Sequence, residues 1–250
     1  MMRDDSVSEL DLLERNIGVE GGMLLGYLMP VMGGLKSIDL SGNQLCGIWT
    51  DGYGNQQGAY TAEGITAIAN ALRVNCALTS LDLSNNALCG VVQTFSRVFS
   101  SGPDGVSGTY TAEGITAIAD ALRVNGGLTA VDLSNNYLKD EGVSAVCKAI
   151  QSNKETKLAS LNMGRNGIGP VGVKSVAAIV AVTGALTALN LSSNLLKDEG
   201  VSAVCKAIQS NKETKLTSLN FEDNGIGPVG ANAVAAMVAG TGALTQVIAF

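Results

Sequence analysis

The side chains able to carry chemistry are mainly carboxylates and thiols, because the 250-residue chain contains no histidine. Ser-His and Cys-His nucleophile pairs, and metal sites built on imidazole, are therefore excluded. The five cysteines also lack the C-x-x-C spacing of zinc and redox motifs. We accordingly predict a protein that is not an enzyme, with no catalytic residue, no cofactor and no metal site.

The most regular acidic feature is a row of aspartates that share one position of a recurring phrase. Asp39, Asp82 and Asp132 each stand between two aliphatic residues. If the phrases form adjacent strands, these carboxylates stack about 5 Å apart and would attract a cationic partner. The alternative is that aspartate is simply the usual residue of this phrase. We predict that these three residues contact a protein rather than a metal ion, because stacked carboxylates do not form a cage.

Two segments, at residues 167–172 and 225–230, match the G-x-G-x-x-G fingerprint of dinucleotide-binding proteins. In both, proline follows the second glycine, and proline cannot donate an N–H group to a phosphate. Both also occur at the same place in a repeated unit. We interpret them as parts of the repeat, not as cofactor sites.

The repeated unit is a phrase of the form L-x-x-L-x-L-x-x-N-x-L, which occurs eight times. Its copies begin near residues 7, 35, 78, 128, 158, 186, 216 and 244. The alternating apolar residues predict a short strand, and the apolar residues at 143, 146, 147 and 150 predict a helix after it. The asparagine at the ninth position is expected to turn inward and bond backbone groups that would otherwise be buried unpaired.

Outside two interruptions the units are 28 to 30 residues long, and their L-D-L-S and E-G elements resemble the ribonuclease-inhibitor type of leucine-rich repeat. The resemblance covers roughly residues 7–250. It implies an α/β solenoid, or horseshoe, with a parallel sheet on the concave face and helices on the convex face. We therefore predict one domain over residues 1–250. The family also implies a cytoplasmic protein-binding scaffold, but it identifies no partner.

Two insertions, at about residues 46–59 and 89–109, break the period in successive repeats. Both fall between strand and helix, so the solenoid places them side by side on one rim. They contain or border six of the ten aromatic residues, and such insertions often form binding faces. The alternative that these rings pack only on one another stays open. The predicted partner contacts are Trp49, Tyr53, Phe95 and Phe99.

Charge and hydropathy limit the class of partner. The net charge is −6 and there is no basic run, which excludes nucleic acid as a ligand. No secretory signal is visible, and no apolar stretch approaches the ~18 residues of a membrane span. We expect a cytoplasmic protein with no membrane partner.

The ends and the thiols give further expectations. Charged residues of the first repeat predict a polar cap, whereas the strand phrase ending at Phe250 leaves an edge that could self-associate. Cys46 and Cys89 follow the same phrase in adjacent repeats, so a disulfide between them is conceivable. A reducing cytosol favours free thiols instead.

Residues 139–158 recur unchanged at 197–216. This identity argues against an asymmetric active site in the C-terminal half of the chain. The sequence thus predicts a non-enzymatic scaffold that binds a protein through its insertions and concave face. An architectural subunit of a larger assembly is the first alternative. Regulation of a GTPase, or a role as an immune-type sensor, rests on family analogy alone.

Overall fold

The computed structural model describes residues 7–94 and 105–249, and twelve strands lie within those ranges. They are β1 Glu9–Asp11, β2 Ser37–Asp39, β3 Ile48–Thr50, β4 Gln56–Gly58, β5 Ser80–Asp82, β6 Val91–Thr94, β7 Gly105–Gly108, β8 Ala130–Asp132, β9 Ser160–Asn162, β10 Ala188–Asn190, β11 Ser218–Asn220 and β12 Gln246–Ile248. Eight of them form one parallel sheet in the order β1-β2-β5-β8-β9-β10-β11-β12, one strand from each predicted phrase.

Helices follow the strands along the chain and form the second layer. They are α1 Gly18–Leu28, α2 Glu63–Leu72, α3 Glu113–Leu122, α4 Lys139–Ser152, α5 Val173–Val180, α6 Lys197–Ser210 and α7 Pro228–Gly240, with a 3-10 turn at Met29–Val31. In α4 the residues Val143, Val146, Cys147 and Ile150 are buried, as their spacing predicts. The central strand residues pack beneath them, so the predicted α/β solenoid is confirmed.

The sheet is in register from end to end. Asp39 pairs with Asp82, and Asp82 pairs with Asp132. In the six inner strands of this sheet the middle residue is buried and its two neighbours are partly exposed, as in β5 and β8. The register therefore places equivalent positions of successive repeats in straight rows along the solenoid.

The ninth-position asparagines form a buried ladder, as predicted. The Oδ1 atom of Asn136 accepts hydrogen bonds from the backbone N–H groups of Asn86, at 2.9 Å, and Leu88, at 3.3 Å. Its Nδ2 atom donates to the Leu83 carbonyl at 2.9 Å. Each rung thus ties one repeat to the next. The ladder consists of Asn43, Asn86, Asn136, Asn166, Asn194 and Asn224.

A second asparagine ladder, which sequence reasoning missed, lies at the carboxyl ends of the helices. Asn125 donates to the carbonyls of Leu72 and Asn75 at 2.6 and 3.0 Å. Its rungs are Asn75, Asn125, Asn153 and Asn211. Thr183 occupies the corresponding place between the last two, and its hydroxyl is buried without a hydrogen-bond partner. The second ladder is therefore interrupted at one rung.

The G-x-G-x-x-G segments are bonded internally. The Gly169 N–H donates to Asp140 Oδ1 at 2.7 Å. The N–H groups of Gly227 and Gly230 donate to Asp198 Oδ1 at 2.6 and 2.9 Å. A carboxylate from the preceding repeat thus occupies the place where a phosphate would bind, which agrees with their interpretation as repeat elements.

The predicted polar cap is only half right. Glu9 and Asp11 are exposed on the first strand. On α1, however, large apolar side chains are exposed, including Leu24 at 59% and Tyr27 at 71%. The reason is that α1 meets α2 through glycine: a Cβ on Gly26 would lie 2.5 Å from the backbone of α2. Glycines of α1 make the contact with α2, and the large apolar side chains of α1 remain exposed to solvent.

All five cysteines are free, so the conceivable bridge between Cys46 and Cys89 is absent. Both thiols are buried, as are those of Cys147 and Cys205. Burial raises the pKa of Cys89, Cys147 and Cys205 to about 12, because a thiolate is poorly solvated in the core. These residues act as small hydrophobic side chains.

Candidate protein-binding site on the insertion lobe

The two insertions are antiparallel hairpins built on one plan. The first pairs β3 with β4 and the second pairs β6 with β7. At the base of the first, a Cβ on Gly58 would lie 2.0 Å from the Gly47 carbonyl oxygen, and Gly58 has φ +75°. In the second hairpin a Cβ on Gly108 would lie 2.1 Å from the Gly90 carbonyl oxygen. Only glycine closes either base. We call the two hairpins together the insertion lobe.

The hairpins of the insertion lobe contact each other. The Thr50 hydroxyl donates to the Gln93 carbonyl at 2.6 Å, and the Ser107 hydroxyl donates to the Gln56 carboxamide. Ile48 and Val92 are buried together beneath them. The two insertions therefore lie side by side on one rim, as the repeat geometry predicts.

Two tyrosines anchor the insertion lobe to the solenoid. The Tyr60 hydroxyl donates to the Leu88 carbonyl at 3.2 Å and accepts from the Gly114 N–H at 3.0 Å. The Tyr110 hydroxyl donates to the Leu138 carbonyl at 2.9 Å. Burial raises the pKa of both phenols. These aromatic rings therefore have a structural role, and their signal in the sequence was the Y-T-A-E-G segment common to both insertions.

Trp49 and Tyr53 are differently placed, because both are exposed at the surface of the lobe. The Trp49 side chain is 36% exposed and lies over Gly58, and Tyr53 is 68% exposed at the hairpin tip. The tip is ordered by Asp51, whose Oδ1 accepts the N–H groups of Tyr53 and Asn55 at 2.9 Å each. These hydrogen bonds, that from Asn55 above all, lower the pKa of the Asp51 carboxyl. Phe95 and Phe99 lie outside the described residues.

A cleft of about 450 Å³ lies between the insertion lobe and the turns that follow strands β1, β2, β5 and β8. One wall is apolar and belongs to the lobe. The other carries two pairs of carboxamides from the turns, which we call together the carboxamide row. The apolar wall contains Ile48, Trp49, Val91 and Val92; the carboxamides are Asn16, Gln44, Asn85 and Asn135. Glu14 and Tyr137 also line it.

The carboxamides are paired between neighbouring repeats. Gln44 Nε2 donates to Asn16 Oδ1 at 2.9 Å, and Asn135 Nδ2 donates to Asn85 Oδ1 at 3.1 Å. Asn85 and Asn135 have left-handed backbone, with φ of +55° and +56°. Sequence reasoning missed these residues, although an amide side chain stands next to the ninth position of the phrase in each of the first four repeats.

The predicted acidic residues form a row on the sheet and also shape the turns. Asp39, Asp82 and Asp132 each accept the N–H of the serine two residues later, at 2.8 to 2.9 Å. Burial, and then the charges of the two neighbouring aspartates, raise the pKa of Asp82. None of the three is among the described residues that line the cleft. The structure therefore brings the aspartates together in one row and places Trp49 in a separate, adjacent feature.

Within residues 7–94 and 105–249, no three His, Cys, Asp or Glu side chains lie close enough to hold a metal ion. No helix in the described part of the chain has the length and hydropathy needed to cross a bilayer. Phe250, where self-association was expected, lies outside the described residues, and β12 is the adjacent edge strand.

Comparison with known proteins identifies the repeats. A family model described as leucine-rich repeat matches residues 128–147, 154–177, 186–205 and 212–235. RAN GTPase-activating protein 2 of Arabidopsis thaliana is 35% identical over 101 residues, or 40% of this chain and 18% of that protein. NACHT, LRR and PYD domains-containing protein 5 of Bos taurus is 31% identical over 72 residues, or 29% of this chain and 6% of that protein.

The chain thus spans less than a fifth of the length of either curated relative. Among solved structures, the actin-binding site 2 of leiomodin-1 aligns with a TM-score of 0.48 and 17% identity, over 57% of this chain and 80% of that one. A likeness of that size supports no statement about function. From its strand–helix units, its asparagine ladder and the family match within residues 128–235, the chain has the leucine-rich-repeat fold, and the predicted resemblance to the ribonuclease-inhibitor-like type is confirmed.

Proposed function

We propose that this protein is a non-enzymatic scaffold that binds a protein partner through the insertion lobe, with the acidic row of the concave face contributing. Leucine-rich repeats bind proteins in general. The observation that carries the proposal is the first hairpin, which holds Trp49 and Tyr53 at the surface, with Trp49 on the wall of a cleft. Aromatic residues on a rigid support lose little conformational entropy on binding and are common interface anchors.

The charge distribution supports a partner with a basic surface. Residues 1–127 carry 13 acidic and 6 basic side chains, whereas residues 128–250 carry 9 acidic and 10 basic ones. The insertion lobe lies within the acidic residues 1–127, as do Asp39 and Asp82. Asp132 follows five residues after this range. Complementary charge raises the rate of association more than the final affinity.

The non-enzymatic assignment and a cytoplasmic location belong to the same proposal. In support, the chain has no histidine, and its five cysteines are free. Thiols of this kind persist in a reducing compartment. A GTPase-regulating role has one observation in its favour, the 101-residue likeness to a protein named as a GTPase activator. A GTP-turnover assay with the pure protein tests that alternative.

An architectural role is the other candidate, and β12 is the observation in its favour. This strand is at the edge of the sheet, and Val247 and Ile248 on it are partly exposed. Light scattering after size-exclusion chromatography distinguishes the roles. A monomer across the accessible concentration range supports the scaffold, whereas concentration-dependent self-association supports the architectural subunit.

Affinity capture from the native source tests the main proposal. Trp49→Ala combined with Phe95→Ala should abolish capture of the partner and leave the circular-dichroism spectrum unchanged. Leu195→Ala is the matched control, because Leu195 is 60% exposed on a turn of a repeat that has no insertion. Undiminished capture by the double variant would refute binding through the insertion lobe.

A further inference from the structure

The shape of the cleft beside the insertion lobe suits an elongated ligand. Its lining comes from four successive repeats, from Asn16 in the first to Asn135 in the fourth. Three repeat spacings of about 4.8 Å give a length of roughly 14 Å along the solenoid axis. An extended polypeptide rises about 3.3 Å per residue, so the cleft matches about four residues of extended chain.

The chemistry of the turn wall matches the peptide group. A carboxamide offers both a donor and an acceptor, which are the two functions that a backbone N–H and C=O require. In the pairs Gln44–Asn16 and Asn135–Asn85, each side chain contributes one of its two polar atoms. The pairing fixes the orientation of the amides within each pair, and each amide retains a second polar atom that could bond a ligand.

The opposite wall favours an apolar side chain. Ile48 and Val92 are 3% and 8% exposed, and the Trp49 ring stands beside them with about a third of its surface in solvent. A side chain inserted here would cover the exposed part of the ring and remove apolar surface from water. The cleft is therefore amphipathic, with amides on one side and apolar groups on the other.

The charge of Glu14 favours one orientation of a ligand in the cleft. Glu14 lines the end of the cleft formed by the first repeat, and Tyr137 lines the opposite end. No lysine or arginine is among the described lining residues. Residues 1–127, which supply most of the lining, carry 13 acidic and 6 basic side chains. A ligand with a basic group beside Glu14 would complement this end.

We infer that the cleft binds an extended segment of a partner protein, about four residues long, with an apolar side chain against Trp49 and a lysine or arginine beside Glu14. This inference rests on the proposed function only in taking the partner to be a protein. Its new content is the mode of recognition. A linear peptide is sufficient, and the carboxamide row binds its backbone.

Selection from a phage-displayed library of random peptides tests the inference without knowledge of the partner. The pure wild-type protein should enrich sequences in which lysine or arginine lies within a few residues of an aromatic or aliphatic residue. For an enriched peptide carrying a fluorescent label, Trp49→Ala should weaken binding about 30-fold. Glu14→Gln should weaken it about threefold, an effect that disappears at high salt.

The carboxamide row has its own matched variants. Asn85→Ala with Asn135→Ala should weaken peptide binding at least about tenfold, through the loss of hydrogen bonds to the peptide backbone. Ser193→Ala is the control, since Ser193 occupies the same turn position with φ +52° in a repeat that has no insertion. It carries the same strain on alanine and should leave binding unchanged.

Three outcomes would overturn the inference: no enriched sequence, enrichment of acidic sequences, or equal enrichment on the Trp49→Ala protein. The proposed function fails separately. If peptide selection fails while the Trp49 and Phe95 variant still loses the native partner, the lobe binds a folded surface and only the inference is wrong. If the cleft binds peptides while that variant captures the native partner normally, the proposed function is wrong.

Discussion

The first half of the solenoid and the last half share a sheet register and an asparagine ladder, but they differ in what projects from them. The helix α4 of the fourth repeat, which ends the first half, and α6 in the last half have the same 14-residue sequence and bury the same six positions. In the first half, two hairpins replace plain turns, and aspartate rather than asparagine occupies the exposed strand position. Packing requirements are thus common to both halves, whereas the surface is specialised in one of them.

This difference separates the residues that stabilise the fold from those available for binding. The ladder amides are buried in both halves and bond the backbone of the adjacent repeat. Trp49, Tyr53 and the carboxamide row are accessible only in the first half. Substitutions in the ladder should therefore act alike in both halves, and substitutions in the lobe should act locally.

The largest expected effect is the loss of a ladder rung. Asn136→Ala and Asn194→Ala each leave several buried backbone groups without partners, at a cost of about 1–3 kcal/mol per group. We expect each variant to lower the free energy of unfolding by roughly 4 kcal/mol, as measured by urea denaturation. A difference of more than about 2 kcal/mol between the two would contradict equal packing in the two halves.

The next largest effect separates the lobe from the solenoid. In Gly58→Ala the new methyl group meets the Gly47 carbonyl oxygen, so the hairpin must open at a cost of about 3 kcal/mol. Gly167→Ala is the control, since Gly167 has φ +64° with no heavy atom near the added Cβ, and it should cost about 1 kcal/mol. Hydrogen exchange of residues 46–59 should rise only in the first variant. Faster exchange throughout the chain would mean that the lobe is part of the folding core.

A smaller effect should come from repairing the second ladder. By analogy with Asn211, an asparagine at 183 would reach the carbonyls of Ile150 and Asn153. We expect Thr183→Asn to stabilise the protein by about 1 kcal/mol and to raise Tm by roughly 2–4 °C. Thr183→Val removes the unpaired hydroxyl without adding the bonds, so its gain should be smaller. A lower Tm for Thr183→Asn would show that the rung cannot be restored.

The smallest effect concerns the acidic row. Asp82 has a raised pKa in the folded protein, so its ionisation disfavours the folded state at neutral pH. Asp82→Asn, which gives this strand the residue found in β9 to β11, should stabilise by about 0.5 kcal/mol at pH 7 in low salt. The gain should fade as pH falls through the raised pKa toward the unfolded value of about 3.9. A gain that persists at pH 3 would have another cause.

The repeat period made most of the fold predictable, because every copy of the phrase places its leucines and its asparagine at the same positions of a strand and the turn that follows it. The ladder asparagines and the buried stripe of α4 followed from that spacing. The second ladder was missed because its distance to the next strand varies: three residues from Asn75 to Leu78, but five from Asn153 to Leu158.

The insertions were predictable in position but not in structure. The broken period located both insertions but did not indicate that Gly47 and Gly58 close a hairpin whose geometry excludes any other residue. Tyr60 and Trp49 looked alike as aromatic residues of one insertion, and only the fold separates the anchor from the exposed ring. The carboxamide row depends on contacts between repeats, which no single unit of the sequence displays.

The most direct test of the account is hydrogen–deuterium exchange on the complex with the captured partner. Binding should slow exchange in the peptides that contain residues 46–59 and 89–94, together with the turns at Asn85 and Asn135. Exchange in residues 154–235 should be unchanged. Protection confined to residues 154–235 would contradict the account, because the unspecialised half would then be the binding surface.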